Sequence, residues 1–434
     1  MVIDTPAAVL LIGSFFGLMA LTVPILFAMI GSSVVTILYL GLPVELVVLN
    51  IVKGINIYSL MAVPFFILAG ELMSQGGIID RLISLSNALV GWFRGGLAMV
   101  NIVASVFFGG ISGSSAADTA AIGSITIPMM KKNGYGLGFA TSIIMASSVE
   151  AMLIPPSHNM VLFALSAGNV SIGRLFLGGV IPGLTLAFAL MVYTYFIAKK
   201  RKYPIGNAFS LKVAIKESIL ALPALGTILI VVFGVVAGVV TATESAALAV
   251  LYALIIGTFL YKMLPPKKIY SVFVNTLKVL AMVIALVGAS ASFSWIIGYL
   301  HIPSAFTSFV LSVTDNKILI LMFVNILLLF LGCIMDMASL ILITTPIILP
   351  MVMSVGVDPV HYGVLMILNL GIGLITPPVG TTLFIGSAIS GMRIEELSRA
   401  MIPFFGVMII VLGIITYVPD VVLFLPDLLM PLNK

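Results

Sequence analysis

The sequence is poor in charge and almost free of cysteine. Lys, Arg, Asp and Glu make up 8% of its 434 residues, against about 25% in an average soluble domain. The single cysteine, Cys333, excludes an internal disulfide framework and any metal site built from cysteines. No Gly-x-x-x-x-Gly-Lys-Ser/Thr loop, catalytic triad or metalloprotease motif is present. These absences argue against ATP hydrolysis and against an ordinary hydrolase.

Apolar sequence takes the place of charge. Hydrophobic residues make up 61% of the chain, and the mean hydropathy is +1.29. Uncharged runs occur at 5–44, 95–117, 151–173, 175–198, 218–243, 279–314 and 359–392. Because a membrane-crossing helix needs about 20 apolar residues, these runs predict one all-α polytopic membrane domain. The N-terminus lacks a basic segment followed by a cleavage site, so we expect the first helix to be retained.

Part of this apolar sequence occurs twice, 222 positions apart, at 108–182 and 330–404. The matched pairs are Phe108 with Phe330, Gly110 with Gly332, Pro128 with Pro350, Met129 with Met351, Pro155 with Pro377 and Pro156 with Pro378. Ser114 corresponds to Asp336. Duplicated hydrophobic segments that are interrupted by glycine or proline at equivalent positions are typical of secondary transporters, whose binding site lies between the repeats.

Basic residues lie in short loops and indicate how the two copies are oriented. The formal net charge of +5 comes largely from loops at 199–216 and 262–268, a pattern of cytoplasmic loops and not of a nucleic-acid surface. The helix after the first Pro-Pro pair ends in the basic stretch 199–202, whereas its counterpart after the second pair ends near Asp420 and Asp427, with no basic residue until Lys434. The copies therefore present opposite ends to the cytoplasm, which predicts inverted repeats.

Each copy begins with a segment that is too polar for a lipid-facing helix. In the first copy, the Gly and Ser residues at 109–115 predict a re-entrant helical hairpin over 101–130 with its tip at Ser112–Ser115. The second hairpin is predicted over 323–350, with its tip at Gly332–Asp336. The alternative is that the small residues only allow close helix packing.

A Pro-Pro pair then interrupts the helix that follows each hairpin, over 135–169 and 359–390. The four prolines are Pro155, Pro156, Pro377 and Pro378. Because proline has no amide donor, carbonyl groups one turn earlier lose their partners and can bind a cation. The helix that restarts after each break offers free N–H groups to a carboxylate. Side chains that could join a ligand there are Ser157, Asn159, Thr381 and Thr382. The alternative is a proline kink without a ligand.

Four acidic residues fall in or near predicted membrane segments, where a buried charge costs at least about 2.5 kcal/mol. Asp336, at the second tip, can bind a cation or a substrate hydroxyl, or carry a proton. Asp118 belongs to the site or caps the second helix of its hairpin. Glu150 binds a cation or orients the broken helix, and Glu244, at a turn, is equally consistent with capping. His158 lies in the first break and is either a ligand contact or a packing residue.

Five motifs resemble those of a known family. They are Gly109–Thr119, Ile125–Met129, Ile154–Ser157, Ala242–Ala247 and Ile375–Gly380. In these motifs the sequence resembles the large membrane subunit of tripartite ATP-independent periplasmic (TRAP) transporters, within the wider ion-transporter superfamily. The resemblance runs along nearly the whole chain, and the run from Gly109 to Thr119 is quite specific.

The resemblance implies Na⁺-coupled, elevator-type uptake of an organic acid, of the sialic acid or C4-dicarboxylate class, across the bacterial inner membrane. Na⁺ is the implied coupling ion, with no organic cofactor and no enzymatic activity. The implied partners are a soluble periplasmic binding protein that delivers the substrate and a small membrane subunit of about four helices. No nucleic-acid partner is expected, and the lipid bilayer surrounds the membrane subunits.

The residue patterns and the resemblance together give two overlapping sets of candidate site residues. The predicted substrate-binding residues are Ser114, Ser115, Ser157, Asn159, Asp336, Thr381 and Thr382. The predicted Na⁺ region, through backbone and side-chain oxygens, comprises Ser112, Gly113, Ser114, Glu150, Gly332, Asp336, Gly373 and Thr376.

The expected organisation is an elevator-type scaffold with a moving transport domain. The predicted parts are scaffold helices at 1–76, an amphipathic arm at 77–96, transport repeat 1 at 97–200, a scaffold helical hairpin at 201–262, a second arm with connecting helices at 263–318, transport repeat 2 at 319–420 and a C-terminal tail at 421–434. Competing functions are a Na⁺- or H⁺-coupled organic-anion symporter without a binding protein, a channel, and an intramembrane enzyme that uses Asp118 and Asp336.

Overall fold

The computed structural model describes residues 4–168, 170–206 and 208–431, in which the regular structure is helical apart from an isolated bridge between Arg94 and Ile205. The first ten α-helices are α1 (Thr5–Ala20), α2 (Ile25–Tyr39), α3 (Glu45–Ile55), α4 (Ala62–Gln75), α5 (Ile78–Val90), α6 (Gly96–Ser112), α7 (Ser115–Lys132), α8 (Leu137–Glu150), α9 (His158–Ala167) and α10 (Ile172–Lys200). They are followed by α11 (Leu211–Val236), α12 (Ala242–Ile255), α13 (Pro266–Tyr299), α14 (Ile302–Val313), α15 (Lys317–Gly332), α16 (Met337–Ser354), α17 (Pro359–Leu374), α18 (Thr381–Ser390), α19 (Ile394–Tyr417) and α20 (Asp420–Leu429). The all-α prediction is confirmed.

Six of the described helices are long and apolar enough to cross a membrane. They are α10, α11, α12 together with the π-helical turn Ile256–Leu260, α13, α16 and α19. A seventh candidate combines α3 and α4, which are bent by 61° at the break between them. The helices beside the Pro-Pro pairs are shorter, because each proline pair divides a span into two pieces.

The same succession of helices occurs in both repeated blocks. α8 begins at Leu137 and α17 begins at Pro359, 222 residues later, and the same spacing separates the starts of α10 at Ile172 and α19 at Ile394. Each block contains a helix pair (α6–α7 and α15–α16), an interrupted helix (α8–α9 and α17–α18) and a long helix. The inverted orientation of the blocks, and their division into moving and fixed parts, stay predictions.

The two interrupted helices form the centre of the molecule. Every residue of α17 from Val360 to Leu374 is buried, as is every residue of α8 from Phe139 to Glu150. A helix that is apolar all round is normally buried on all sides. By contrast, α11 exposes large apolar side chains such as Leu222 and Phe233, as expected of a helix that faces lipid.

The predicted first arm is a separate short helix, whereas the predicted second arm is not. α5 buries Leu82 and Leu85 and partly exposes Leu89, so its apolar residues are divided between the protein core and the outer surface. The segment 267–277 is the first part of the continuous, 34-residue α13. No glycine or proline follows it before Gly288, so nothing in the sequence ends a helix at that point.

The C-terminal stretch contains a docked helix where a tail was expected. Of residues 421–434, the structure describes 421–431, most of which belong to α20. Arg174, in the first turn of α10, donates hydrogen bonds to the carbonyl oxygens of Pro426 and Met430 and pairs with Asp427. A buried guanidinium needs such acceptors, and here α20 supplies them.

Candidate functional site

The first hairpin turns at a glycine that touches the first proline break. α6 ends at Ser112, Gly113 has a φ of 56°, and the side chain of Ser114 caps the start of α7. A Cβ atom added to Gly113 would lie 2.9 Å from the Cα of Ser157 and 3.0 Å from the carbonyl oxygen of Pro156. Glycine is required here both for the left-handed backbone and for this close approach.

The first break lies directly behind this tip. α8 ends at Glu150 and α9 begins at His158, with Pro155 and Pro156 between them. The side-chain amide of Asn159 donates a hydrogen bond to the Gly113 carbonyl oxygen at 3.3 Å. Ser157 is fully buried, and its hydroxyl has no hydrogen-bond partner. The first tip and the first break therefore form one unit, the first half-site, in which the Ser157 hydroxyl is buried without a partner.

The second hairpin turns at Asp336. α15 ends at Gly332, and Asp336 caps α16 by accepting a hydrogen bond from the Ala338 amide at 3.0 Å. The Val379 amide, in the second break, donates to the Cys333 carbonyl oxygen at 3.0 Å. The second tip and the second break are thus joined by a backbone hydrogen bond.

The second tip and the second break form the second half-site. Two of its glycines, Gly332 and Gly373, pack backbone against backbone. A Cβ atom added to Gly373 would lie 2.6 Å from the Cα of Gly332. Beyond Gly373, Thr376 donates its hydroxyl to the Ile372 carbonyl oxygen at 2.7 Å, and the prolines Pro377 and Pro378 follow. In a continuous helix, this carbonyl group would accept a hydrogen bond from a backbone amide, and here it accepts one from the Thr376 hydroxyl.

The two repeated blocks meet at Ser115 and Thr382. The Ser115 hydroxyl lies 3.0 Å from the Thr382 hydroxyl and 2.6 Å from the Ser148 hydroxyl, and all three side chains are buried. Residues 267 positions apart in the sequence are therefore joined beside the first tip. This contact links α7 of the first block to α18 of the second.

Both tips and both breaks open onto one cavity of about 580 Å³, a size typical of small-molecule sites. Its polar lining residues are Ser114, Ser115, His158, Asn159, Asp336, Ser339 and Thr381. A second part of the lining is apolar and comes from the start of α2 and from α13, namely Pro24, Ile25, Leu26, Phe27, Val279, Met282, Val283 and Leu286.

Five of the seven predicted substrate residues line this cavity, and two do not. Ser157 and Thr382 are buried behind the surface, Thr382 against Ser115. Ser339 was missed, although its position three residues after Asp336 places it in the first turn of α16. The α2 and α13 wall was also missed, because its apolar residues carry no sequence signal that separates them from lipid-facing ones.

A sequence profile described as "Tripartite ATP-independent periplasmic transporter, DctM component" matches residues 12–421 of the chain. The chain belongs to the DctM family. The sialic acid TRAP transporter large permease protein SiaM of Vibrio cholerae is 36% identical, over 93% of this chain and 95% of its own. The protein YgiK of Salmonella typhimurium is 38% identical, over 93% of both chains.

A further DctM-family relative is longer than this chain. The isethionate TRAP transporter permease protein DctMQ of Oleidesulfovibrio alaskensis is 40% identical over 93% of this chain, which spans 64% of that protein's length. Two solved transporters share the fold. The YdaH transporter of Alcanivorax borkumensis has a TM-score of 0.61 with 13% identity, covering 85% of this chain and 86% of its own, and MtrF of Neisseria gonorrhoeae has a TM-score of 0.54 with 14% identity, covering 85% and 82%.

Two carboxyl groups lie buried behind the first tip of this DctM-family chain. Asp118 accepts a hydrogen bond from the Ser105 hydroxyl at 2.8 Å, while its second oxygen and both oxygens of Glu150 have no hydrogen-bond partner. Ser114 supplies the side-chain cap of α7, and Asp118 lies in the first turn of that helix, where a carboxylate is favourable. No described contact ties the Glu150 carboxyl to the unwound backbone. Unpaired buried oxygens of this kind suit Na⁺, a hard cation with oxygen ligands.

Glu244 and the other two histidines are not among the described residues that line the cavity. Glu244 and Thr241 form a reciprocal capping box at the start of α12, which accounts for both side chains. His361 is buried, and its Nε2 lies 2.7 Å from the Ile415 carbonyl oxygen. His301 takes a left-handed backbone conformation before α14. Of the histidines, His158 alone lines the cavity described above.

Proposed function

We propose that this chain is the large membrane subunit of a Na⁺-coupled TRAP transporter that imports an organic acid. The observation that carries the proposal is the meeting of two hairpin tips and two proline-broken helices at one cavity, in a member of the DctM family. Such discontinuous helices are the usual means by which transporters bind an anionic substrate together with its coupling cations. The relatives that carry substrate names belong to transporters of sialic acid, C4-dicarboxylate and isethionate, which are all organic anions.

Na⁺ coupling is supported by the oxygen atoms that the fold leaves without partners. At the first half-site they are the carboxyl oxygens of Glu150, one oxygen of Asp118 and the Ser157 hydroxyl. At the second half-site, Asp336 lines the cavity, with the Ala338 amide as its described hydrogen-bond donor. Na⁺ would be held by these oxygens, and its charge would offset theirs and that of the substrate.

Binding of an organic acid is supported by the helices that begin at the cavity. α9 and α18 both start there, and their first residues, His158, Asn159 and Thr381, line it. The free N–H groups of a helix start and its positive dipole end favour a carboxylate. We therefore place the carboxylate of the substrate between the two breaks.

An elevator movement is supported by the difference between the two walls of the cavity. The hairpin side carries all of the polar lining residues, whereas the α2 and α13 side is apolar. The two hairpins and their interrupted helices are here called the hairpin block. An apolar wall makes no hydrogen bonds that would hold this block in one position. The loaded block can then move across the membrane against α2 and α13, provided that Na⁺ and substrate bind the two states with different affinity.

The partners follow from the family and from the longer relative. The DctMQ protein extends well beyond the region that matches this chain, and several relatives are named large permease proteins, which supports a separate small membrane subunit here. A soluble periplasmic binding protein would deliver the substrate, and the complex would lie in the bacterial inner membrane. Both partners belong to the proposal.

Uptake by proteoliposomes tests the proposal. The chain and its small subunit would be reconstituted together and supplied with radiolabelled organic acids, with and without an inward Na⁺ gradient and the cognate binding protein. Accumulation that requires both is the expected result. Accumulation that needs Na⁺ but ignores the binding protein would replace the proposal with a stand-alone symporter. Uptake driven equally well by a K⁺ gradient would contradict Na⁺ coupling.

A further inference from the structure

A second cavity, of about 220 Å³, adjoins the second hairpin and is here called the inner cavity. It shares no described lining residue with the cavity onto which the two tips open. Its described lining residues are apolar except Thr344, whose hydroxyl donates to the Leu340 carbonyl oxygen at 2.7 Å. Cavities lined in this way stay free of water and bind apolar molecules, as an engineered cavity of about 150 Å³ binds benzene. The inner cavity therefore suits a hydrocarbon group.

The inner cavity is elongated along α16. Residues three and four positions apart share one face of a helix, and the α16 residues that line the cavity follow this spacing from Leu340 to Ile348. At a rise of 1.5 Å per residue, this face is about 12 Å long. No apolar side chain reaches that far, whereas an unbranched hydrocarbon chain does. The other walls come from α1, α13, α14 and α15, for example through Phe15, Phe293 and Leu327.

The inner cavity continues into a groove on the outer surface between α1 and α14. Ile12, Ile302 and Phe306 line both spaces and are here called the neck. The groove has a volume of about 520 Å³, and its side chains Val9 and Phe309 are exposed. The hydrocarbon tails of a bilayer are as apolar as such side chains. The neck therefore connects the inner cavity with a surface that suits lipid.

A helix of a partner subunit or of a second copy is too large for the inner cavity. In proportion to the cavity of about 150 Å³ that binds benzene, the inner cavity holds about nine carbon atoms. One turn of helix contains 3.6 residues and therefore several times as many atoms. A helix that lay in the groove would leave the inner cavity empty, and an empty apolar cavity is destabilising. A single chain that passes the neck fills both spaces.

We propose that an acyl chain of a membrane phospholipid enters between α1 and α14, passes Ile12 and occupies the inner cavity against the second hairpin. The chain then lies between α16 on one side and α1 with α13 on the other. Because an acyl chain changes shape easily, it keeps this space filled when the helices shift against one another. The inference goes beyond the proposed function, since it requires neither Na⁺ nor substrate.

Photolabelling by a lipid tests the inference. The probe is a phosphatidylcholine that carries a diazirine near the end of one acyl chain, in bilayer nanodiscs that hold the chain alone or together with its small subunit. After irradiation, mass spectrometry locates the labelled residues. The expected result is labelling of Leu340 and Ile348, which are only 1% and 2% exposed, together with labelling of the groove. The control residues are Val364 and Leu365 of α17, which are equally buried but line none of the described cavities, and they should stay unlabelled.

A substitution at the neck tests the route. Ile12 is 40% exposed, so Ile12→Trp adds bulk at the neck without filling the core. Labelling of Leu340 and Ile348 should fall at least fivefold, while labelling of the groove persists. The matched control is Leu21→Trp, at a 73% exposed position just after α1 and outside both spaces, and it should leave the pattern unchanged. Should the neck variant not fold, the labelling pattern of the unsubstituted chain still decides the inference.

Three results would overturn the inference and leave the proposed Na⁺-coupled function standing, because the experiment contains no substrate. Labelling confined to the groove would mean that lipid stays outside the neck. Equal labelling of α16 and the α17 control residues would mean that the probe reports a general opening of the helices. Protection of both the groove and the inner cavity, while exposed residues of α11 are labelled, would mean that the small subunit or a second copy covers this surface.

Discussion

At the scale of single residues, the site depends on a glycine that has no room for a side chain and on a buried glutamate whose carboxyl group has no partner. Gly113 brings the first tip into contact with the first break. Glu150 leaves two carboxyl oxygens buried without partners in the same region. The first feature is steric and the second is electrostatic, so their substitution should have different effects.

Gly113→Ala should abolish most Na⁺-dependent substrate binding. The added Cβ would lie 2.9 Å from the Ser157 Cα, so the tip must withdraw from the break. We expect at least a tenfold loss of affinity, measured by calorimetry. The control is Gly134→Ala, because Gly134 also has a positive φ but no atom lies within 4 Å of an added Cβ. The Gly134→Ala variant should lose only about 1 kcal/mol of stability, from the strained left-handed backbone. Equal effects of both variants would mean that backbone strain, and not the close approach, matters.

Glu150→Gln should stabilise the protein without Na⁺ and weaken its response to Na⁺. A buried, unpaired carboxylate is costly, and removing its charge relieves that cost. In Na⁺-free buffer the melting temperature should rise, while the Na⁺ concentration for half-maximal stabilisation should increase at least tenfold. Glu396→Gln, at an exposed position of α19, serves as the control and should change neither quantity. An unchanged Na⁺ response in E150Q would remove Glu150 from the cation site.

At the scale of helices, two contacts between distant elements stand out, a close approach of two glycines and an ion pair in which only the arginine is buried. The second tip and the second break touch through Gly332 and Gly373, while α20 is attached to α10 through Arg174. These contacts lie in different places, one between the second tip and the second interrupted helix and one at the C-terminal end of the described chain. Changes at the first should impair transport, and changes at the second should impair stability.

Gly373→Ala should separate the second tip from the second break. Its Cβ would lie 2.6 Å from the Gly332 Cα, where backbone and not a flexible side chain stands in the way. We expect Na⁺-driven uptake in proteoliposomes to fall at least tenfold. Gly406→Ala, on α19, adds a Cβ into open space and should keep full uptake, with a stability gain of up to about 1 kcal/mol from helix propensity. Wild-type uptake in G373A would contradict the need for this contact.

Arg174→Gln should loosen α20. The Arg174 side chain is 5% exposed and donates to two carbonyl groups as well as to Asp427, and hydrogen bonds of a charged group contribute about 1.5 to 3 kcal/mol each. Asp427→Asn is the matched change on the partner, whose side chain is 61% exposed, so its cost should stay below about 1 kcal/mol. Melting temperature and protease cleavage within 420–431 would measure the difference. Equal effects would mean that the ion pair dominates over the carbonyl contacts.

At the scale of the whole molecule, the cavity exists because two distant blocks and a separate wall surround it. The tips and breaks form one side, and α2 with α13 forms the other. In the proposed function, Na⁺ and substrate order the tips before the hairpin block moves. The single cysteine, Cys333, lies at the second tip, is partly exposed, and accepts a backbone hydrogen bond from Val379. The accessibility of the Cys333 thiol should therefore depend on whether the second tip is ordered.

Labelling of Cys333 by a small membrane-permeant maleimide should slow when Na⁺ and substrate bind. Ordering of the second tip against the second break restricts access to the thiol, and we expect a several-fold decrease in rate, read by mass spectrometry. The control is a cysteine placed at Ser312, near the exposed end of α14, in a Cys333→Ser background. Its labelling rate should not respond to Na⁺. A Cys333 rate that is unaffected by both ligands would contradict ordering of the second tip.

Several features could be predicted from the sequence because they depend on local chemistry. Hydropathy predicted an all-helical membrane protein, and the helices stop beside the Pro-Pro pairs because proline removes a donor wherever the chain folds. The motif from Gly109 to Thr119 indicated the DctM family, which the comparison confirmed. The choice of Asp336 as a cavity candidate also needed only its position at a turn in an apolar segment.

Other features depend on contacts that only the folded chain forms. Adjacent residues Thr381 and Thr382 look equivalent in sequence, yet one lines the cavity and the other is buried against Ser115, 267 positions away. The pairing of Asp118 with Ser105, the attachment of α20 through Arg174 and the apolar wall of α2 and α13 are likewise long-range. The sequence by itself determined the membrane class, the family and the places where helices break, since each follows from nearby residues. The tertiary structure decided which side chains meet, because that depends on how distant helices pack.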